Sequence, residues 1–238
     1  MICKKILLVT GLLTAFVQIS HAETGTVFPT KRDAPVDQSK ETEVAKVDGK
    51  DVNVFFYGDV TENKVVELQQ ALDTININYP KARAINLYIN SPGGEVRAGW
   101  TGYWAIKSSV IPVKTIGAGF VASMATLLYC ASSERSAVKQ NEFYLHAPST
   151  TLNEIGRPDV VRRLGRELDK ISDDMIDIYT ACTTLNKQEI ADIAKAEYFA
   201  KSLNTEDAIK IGMSQKLAEK ILPAGAAFYI FDKPSKFE

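Results

Sequence analysis

The chain has 238 residues, a length that fits one large domain or two small ones. Hydrophobic residues make up 45% of it and charged residues 24%, which excludes a wholly disordered, collagen-like or multi-span membrane protein. The 28 Lys and Arg residues are balanced by 29 Asp and Glu residues, so no basic face for binding nucleic acid is predicted.

The first 22 residues have the pattern of a secretory signal peptide. Lys4 and Lys5 precede an apolar run, Ile6–Val17, and Ser20-His21-Ala22 then supplies a small-x-small cleavage site. The apolar run is shorter than the roughly 20 residues that a membrane-spanning helix needs. We therefore predict cleavage after Ala22 and a periplasmic or secreted protein.

Cleavage would leave one histidine in the mature chain, His146, because the other of the two is His21. One His and two Cys are too few for a structural zinc site, and neither a metal nor a cofactor is predicted. The two remaining thiols, Cys130 and Cys182, would be able to pair in an oxidising compartment. Alternatively, both lie buried and unpaired in apolar helices.

The rest of the chain divides into an arm and a domain. Residues 23–50 hold few apolar side chains and are interpreted as a flexible polar arm, whereas 51–238 form a single domain. Within the domain, predicted strands alternate with predicted helices, and this alternation indicates an α/β fold with a largely parallel sheet. Strands are predicted at 52–57, 84–90, 113–116, 142–146 and 227–231, and helices near 61–75, 96–108, 123–131, 161–185, 187–200 and 205–211.

The helix predicted at 161–185 has an unusually regular apolar stripe, with steps that alternate between three and four residues. Its members are Val161, Leu164, Leu168, Ile171, Met175, Ile178, Cys182 and Leu185. The stripe is narrow and is flanked by Arg, Asp and Glu. We favour a projecting helix that packs against another subunit over a helix buried within one chain, and so expect a homo-oligomer.

The candidate chemistry lies where the predicted strands end, since sites in open α/β sheets lie beyond the carboxyl ends of the strands. Ser123 follows the Gly117-Ala118-Gly119 turn and precedes an apolar helix, so it is a candidate nucleophile exposed on a tight turn. The alternative is that Ser123 only caps the helix. His146 closes another strand and is the candidate general base, although a lone His in that position is often a packed core residue.

The Gly93-Gly94 pair is a candidate for binding an oxyanion. Acyl transfer places negative charge on a carbonyl oxygen, and two N–H groups must already point at it. Glycine allows the backbone to approach a substrate closely, so the N–H groups of Gly94 and Met124 are the predicted pair. The alternative is an ordinary Pro-Gly turn.

Three segments together resemble the signature blocks of the ClpP peptidases, in order and in spacing. They are Leu87-Tyr88-Ile89-Asn90-Ser91-Pro92-Gly93-Gly94, then Gly119-x-x-Ala122-Ser123-Met124-Ala125, then Tyr144-Leu145-His146-x-Pro148. The resemblance extends from about Val52 to Leu217. It implies the ClpP/crotonase-type fold, a spiral of ββα units with a long projecting handle helix, and the 161–185 helix occupies the position of the handle.

The resemblance also implies a Ser–His–Asp triad that cleaves peptide bonds, with Ser123 and His146 in the first two roles. The third role departs from the family pattern. Counting forward from Ile190 matches the acid to Glu197, whereas counting back from Gly212 matches Ala200, as if one helical turn had been inserted. Glu is able to orient an imidazole as Asp does, so Glu197 is the predicted acid and Asp192 the alternative.

These observations predict an ATP-independent serine endopeptidase that acts on peptides or unfolded chains. No ATP-driven unfoldase is expected as a partner, because export removes the protein from cytosolic ATP. An extended substrate is expected to pair with the backbone at Gly93, Gly94, Glu95 and Val96. Two alternatives remain: a catalytically weak or inactive scaffold that binds peptide or a membrane partner, and acyl-thioester chemistry on a crotonase-like fold, which would not need Ser123 and His146 at this spacing.

Overall fold

The computed structural model describes residues 47–151 and 156–232. The predicted signal peptide and residues 23–46 of the predicted arm lie outside these ranges. The end of the arm packs against the domain, because Val47 is buried and the Gly49 N–H donates to the Lys81 carbonyl at 3.0 Å. Residues 47–50, which the sequence assigns to the arm, thus contact the domain that is predicted to begin at Asp51.

Strands and helices alternate along most of the described chain, as the sequence predicts. The strands are β1 (Val52–Tyr57), β2 (Ile85–Ser91), β3 (Val113–Ala122), β4 (Glu134–Val138), β5 (Glu142–Leu145), β6 (Lys201–Asn204), β7 (Lys216–Ala218) and β8 (Ala226–Ile230). The helices are α1 (Glu62–Asn78), α2 (Val96–Lys107), α3 (Met124–Cys130), α4 (Pro158–Cys182), α5 (Lys187–Lys195) and α6 (Thr205–Lys210), with a 3₁₀ turn at Glu197–Phe199.

The strands form one sheet in the order β8-β1-β2-β3-β5-β6, and β4 pairs with both β3 and β7. All pairings are parallel except the antiparallel pair of β5 and β6. The prediction of an α/β fold with a largely parallel sheet is thus confirmed. The sequence does not predict strands β4, β6 and β7, since they are short and polar and pair only because the fold brings their partners beside them.

The main core lies between one face of the sheet and the helices. Alternate residues of β1, Val52, Val54 and Phe56, point into it, together with the apolar faces of α1, α2 and α3 and the second half of α4. Phe55, between them on β1, instead joins Tyr88 and Ile116 in a small cluster on the opposite face. This alternation is the period of two that a pleated strand requires.

Strand β3 differs from its prediction, because the glycines expected to form a turn lie inside the strand. Ile89 pairs with Gly117 but Ser91 pairs with Val121, so β3 carries extra residues at this point and forms a bulge. Asn141 accepts a hydrogen bond from the Gly119 N–H at 2.9 Å, and Asn90 accepts one from the Phe120 N–H at 3.0 Å. These two side chains replace the missing ladder bonds and let the strand continue to Ala122.

Helix α4 is the long helix of the prediction, although it begins at Pro158 and ends at Cys182. Its second half is buried, with Met175, Ile178 and Cys182 in the core. Its first half is more open, since Val161 is 50% exposed and Leu164 and Leu168 are half-buried. The helix therefore projects from the core at its N-terminal end. None of the helices in the described ranges is long and apolar enough to cross a membrane.

A disulfide joins Cys130 at the end of α3 to Cys182 at the end of α4, with the two Cα atoms 5.6 Å apart. The sequence leaves open whether these thiols pair, and the structure decides in favour of pairing. Because the bond closes a loop across 52 positions of the chain, it links the helix that follows Ser123 to the projecting helix.

Candidate active site

Ser123 lies between β3 and α3 in a conformation that is rare for a side-chain-bearing residue. Its φ is 52° and its ψ is −130°, and it is the one non-glycine residue with positive φ in the ranges that the structure describes. Such a conformation costs about 1–3 kcal/mol and persists only where its surroundings impose it. The hydroxyl does not cap α3. The Ser123 N–H donates to the Tyr144 carbonyl at 2.9 Å, which ties the turn to β5.

The Gly93-Gly94 segment passes directly beside Ser123. A Cβ atom on Gly93 would lie 2.6 Å from the Ser123 Cβ, and one on Gly94 would lie 2.3 Å from the Val60 carbonyl oxygen. Both glycines also have positive φ, 96° and 151°. No other residue type fits this close approach, so the segment is more than an ordinary turn.

The backbone groups near Ser123 differ in whether they have hydrogen-bond partners within the described residues. The Gly93 N–H donates to the Ser91 hydroxyl at 3.1 Å, and the Gly93 carbonyl accepts from the Val60 N–H at 2.7 Å. Both backbone groups of Gly93 therefore already have hydrogen-bond partners. The N–H groups of Gly94 and Met124 donate to nothing within residues 47–151 and 156–232. These are the two donors that the sequence assigns to the oxyanion.

His146 follows β5 and lies beside Glu197. The His146 Nδ1 atom is 3.1 Å from Glu197 Oε2, which leaves Nε2 for a substrate or a nucleophile. His146 is mostly shielded, with 20% of its side chain exposed, whereas the Glu197 side chain is 64% exposed. Ser123 and His146 are not hydrogen-bonded to each other, a common situation in structures without substrate.

Glu197 reaches His146 because the helix before it stops. The sequence predicts a helix over 187–200, but α5 ends at Lys195 and Glu197 begins a 3₁₀ turn. A continued helix would place Glu197 two turns after Ile190, on the face that buries Ile190 and Ile193, and would bury its carboxylate. Asp192, the alternative acid, is a half-buried residue of α5 that accepts a hydrogen bond from Gln188 at 2.8 Å and makes none with His146.

Tyr144 contacts the same carboxylate from the other side. Its hydroxyl donates to Glu197 Oε1, and its ring stacks on the His146 ring with centroids 5.2 Å apart. The Tyr144 hydrogen bond, followed by the His146 contacts, holds the pKa of Glu197 below its ordinary value although burial opposes this. The same hydrogen bond raises the pKa of Tyr144. Glu197 is therefore a carboxylate at neutral pH.

The predicted substrate-pairing segment is only partly available. The Glu95 N–H donates to the Val60 carbonyl at 2.9 Å, and this bond and the occupied Gly93 groups leave neither residue free to pair with a peptide. Val96 is the first residue of α2, and its N–H, like that of Gly94, has no acceptor within the described ranges. Because the Gly94 N–H is the candidate oxyanion donor, pairing of the backbone N–H groups with an extended substrate would use Val96.

Comparison with known proteins shows the family to which this chain belongs. The model of the Clp protease family matches residues 38–221, most of the chain. The chain belongs to the Clp protease family. This match includes every residue of the candidate site, from Gly93 to Glu197.

Relatives within the family are distant. An ATP-dependent Clp protease proteolytic subunit from Deinococcus radiodurans is 28% identical over 160 residues, which cover 66% of this chain and 74% of the relative. Subunit 3 from Rhizobium meliloti is 28% identical over 184 residues, covering 76% of this chain and 90% of the relative. A solved structure of a ClpP1 mutant from Listeria monocytogenes superposes with a TM-score of 0.61 at 19% identity, covering 76% of this Clp-family chain and 96% of that one. The predicted ClpP/crotonase-type fold with a handle helix is confirmed.

Tyr144 is the site residue that the sequence reasoning missed. The sequence marks it only as part of a motif, although Tyr144 and His146 alternate with the buried Phe143, Leu145 and Ala147. A strand places residues two apart on the same face, so the spacing already puts Tyr144 beside the candidate base. What the sequence does not reveal is that Glu197 lies opposite both.

Proposed function

We propose that this Clp-family protein is an exported, ATP-independent serine endopeptidase that cleaves peptides or unfolded chains. The observation that carries the proposal is the position of Ser123, held at a positive φ beside the free Gly94 and Met124 N–H groups. The names of the relatives, proteolytic subunits of Clp proteases, support the same class of reaction.

In the proposed reaction, Ser123 Oγ attacks the peptide carbonyl while His146 Nε2 takes its proton. The carbonyl oxygen becomes an oxyanion, which accepts hydrogen bonds from Gly94 and Met124. His146 then returns the proton to the leaving amine, and water hydrolyses the acyl-enzyme by the same steps. Glu197, at 3.1 Å from His146 Nδ1, would keep the proton on that nitrogen and stabilise the imidazolium.

A fluorophosphonate probe tests the proposal directly, because it reacts with an activated serine without requiring the right peptide. We expect one labelled site per chain, and peptide mapping should assign it to Ser123. Denatured protein is the control and should not be labelled. Absence of labelling in the folded protein would favour the alternative that the fold serves as a peptide-binding scaffold. The contact between Glu197 and His146 argues against that alternative, since a scaffold has no use for an oriented imidazole.

The proposed location outside the cytoplasm rests on the leader-like sequence and is supported by the disulfide. A bond between Cys130 and Cys182 is expected in an oxidising compartment and is rare in the cytosol. Outside the cytoplasm there is no ATP for an unfoldase partner, so the enzyme would act on short peptides or on chains already unfolded.

Intact-mass spectrometry of exported protein checks the predicted cleavage and the disulfide in one measurement. We expect a chain that begins at Glu23 and is lighter by two hydrogen atoms than its fully reduced form, because Cys130 and Cys182 are joined. Treatment with a reductant and a thiol alkylating agent should then add two alkyl groups. Exported protein that retains residues 1–22 would contradict the predicted cleavage, and two free thiols would contradict the pairing.

We further propose that the protein is a homo-oligomer that buries the open half of α4. Val161, Leu164 and Leu168 lie in or near solvent in one chain, and covering each large apolar side chain contributes about 1.5–3 kcal/mol. Light scattering should give a mass several times that of one chain. Leu168→Glu should reduce this mass, whereas Lys170→Glu, an exposed position off the stripe, should not. A wild-type mass equal to one chain across a wide concentration range would overturn the proposal.

A further inference from the structure

The carboxylate of Glu197 has two oxygens with different partners. Oε2 faces His146 Nδ1 at 3.1 Å, and Oε1 accepts the Tyr144 hydroxyl. Within the described ranges, the carboxylate makes no other hydrogen bond or ion pair. Its orientation toward His146 therefore depends on these two contacts.

Glu197 has little else to hold it in place. Its side chain is 64% exposed, and it starts a 3₁₀ turn of three residues in which no residue is buried. A glutamate side chain has one more rotatable bond than aspartate, and an exposed one samples several rotamers. With His146 as its single partner, such a carboxylate would spend much of its time turned into water.

Tyr144, in contrast, is fixed by the sheet. It lies on β5, which pairs with β3 on one side and β6 on the other. Its carbonyl accepts the Ser123 N–H at 2.9 Å, and its ring stacks on His146. Tyr144 lies on β5 two residues before His146, which directly follows the strand, so their side chains lie on the same side of the chain and their rings stack.

We propose that Tyr144 is a positioning residue for catalysis, which clamps the Glu197 carboxylate so that its second oxygen faces His146. The proposal rests on the proposed peptidase function. It also explains how a glutamate on a short turn serves as the acid of the triad: β5, the strand that His146 directly follows, supplies the hydroxyl that orients the carboxylate. The Tyr144 hydroxyl bonds only to the Glu197 carboxylate, so its effect on catalysis passes through Glu197.

The first test is kinetic, on the purified exported protein. Tyr144→Phe removes only the hydroxyl and should lower kcat about tenfold with little change in KM, as loss of a hydrogen bond to a charged group predicts. In a Glu197→Gln background the same substitution should have almost no further effect, because the group that it orients has lost its charge. A structural role would instead give additive losses. Tyr198→Phe is the matched control, since Tyr198 is 91% exposed on the turn of Glu197 and should retain wild-type kcat.

The second test does not depend on activity. Nitrogen-15 chemical shifts of the His146 ring, assigned by their loss in His146→Ala, report which ring nitrogen carries the proton. The wild type should be protonated on Nδ1, and Tyr144→Phe should shift population to the form protonated on Nε2, as Glu197→Gln does. An unchanged tautomer in folded Tyr144→Phe, or additive kinetic losses, would overturn the clamp. An inactive wild type with the expected tautomer shift would instead reject the peptidase function and retain the clamp.

Discussion

Replacing Ser123 by alanine is expected to abolish fluorophosphonate labelling and to lower peptide hydrolysis roughly a thousandfold or more, the usual cost of removing a triad nucleophile. The reason is that the proposed acyl-enzyme forms only on the Ser123 oxygen. His146→Ala should lower turnover to a similar extent, because no other histidine follows the predicted cleavage site. The variants and the wild type are compared by their steady-state rates on an unstructured peptide. Circular dichroism checks that each variant is folded.

Ser149→Ala provides the matched control for this prediction. Ser149 is an exposed serine three residues after His146, and its loss should change neither labelling nor turnover. Wild-type turnover by purified Ser123→Ala would rule out the proposed mechanism.

The positive φ of Ser123 predicts a separate effect of this position on stability. Ser123→Gly should be as inactive as the alanine variant but more stable than the wild type by about 1 kcal/mol, since glycine adopts a φ of 52° without strain. The free energy of unfolding, measured with denaturant, gives the sign. A Ser123→Gly variant less stable than the wild type would contradict this prediction.

Substituting Gly94 by alanine is expected to lower turnover by roughly a hundredfold or more, the cost of removing one oxyanion donor. The new Cβ would lie 2.3 Å from the Val60 carbonyl oxygen, so the segment must shift and its free N–H must move with it. KM should change less than kcat, because the oxyanion exists only in the transition state and the intermediates. Rates are compared at a temperature at which circular dichroism shows the variant to be folded.

Gly165→Ala is the control for a general effect of adding a methyl group to a glycine. Gly165 lies within α4, and in a single chain no atom beyond its chain neighbours and the helix backbone lies within 4 Å of the position that its Cβ would take, so alanine should fit and should add about 0.5–1 kcal/mol of stability. Its turnover should match the wild type. A folded Gly94→Ala variant with wild-type kcat would remove Gly94 from the oxyanion site.

The sequence alone predicts most elements that are long or strongly patterned. Strand β1 and helix α2 agree with their predictions to within a residue or so, since burial of one face leaves a clear period in the sequence. The short strands β4, β6 and β7 are not predicted, because their sequences lack such a period. In Glu134–Val138 the residues are mostly polar or small, and the strand exists because β3 and β7 lie on either side of it.

The candidate site also has residues that the sequence predicts and residues that it does not. Ser123, His146 and the Gly93-Gly94 pair belong to local segments whose residues and order carry the resemblance to the family, so the sequence is enough to name them. The glycines at 117 and 119 also stand out in the sequence, but the turn predicted for them is wrong. They allow the side chains of Asn141 and Asn90 to approach a bulged strand, and those side chains come from elsewhere in the chain.

The sequence by itself thus determined the alternation of strands and helices, the long stripe of α4 and the residue types of the candidate nucleophile, base and oxyanion donors. Only the tertiary structure decided which acid faces His146, that Tyr144 holds that acid, that Cys130 pairs with Cys182, and which backbone groups near Ser123 remain free. The physical reason is distance along the chain. Periodicity and turn chemistry act over a few neighbouring residues, whereas Tyr144 and Glu197 are separated by 53 positions and meet only because β5, β6 and the 3₁₀ turn fold together.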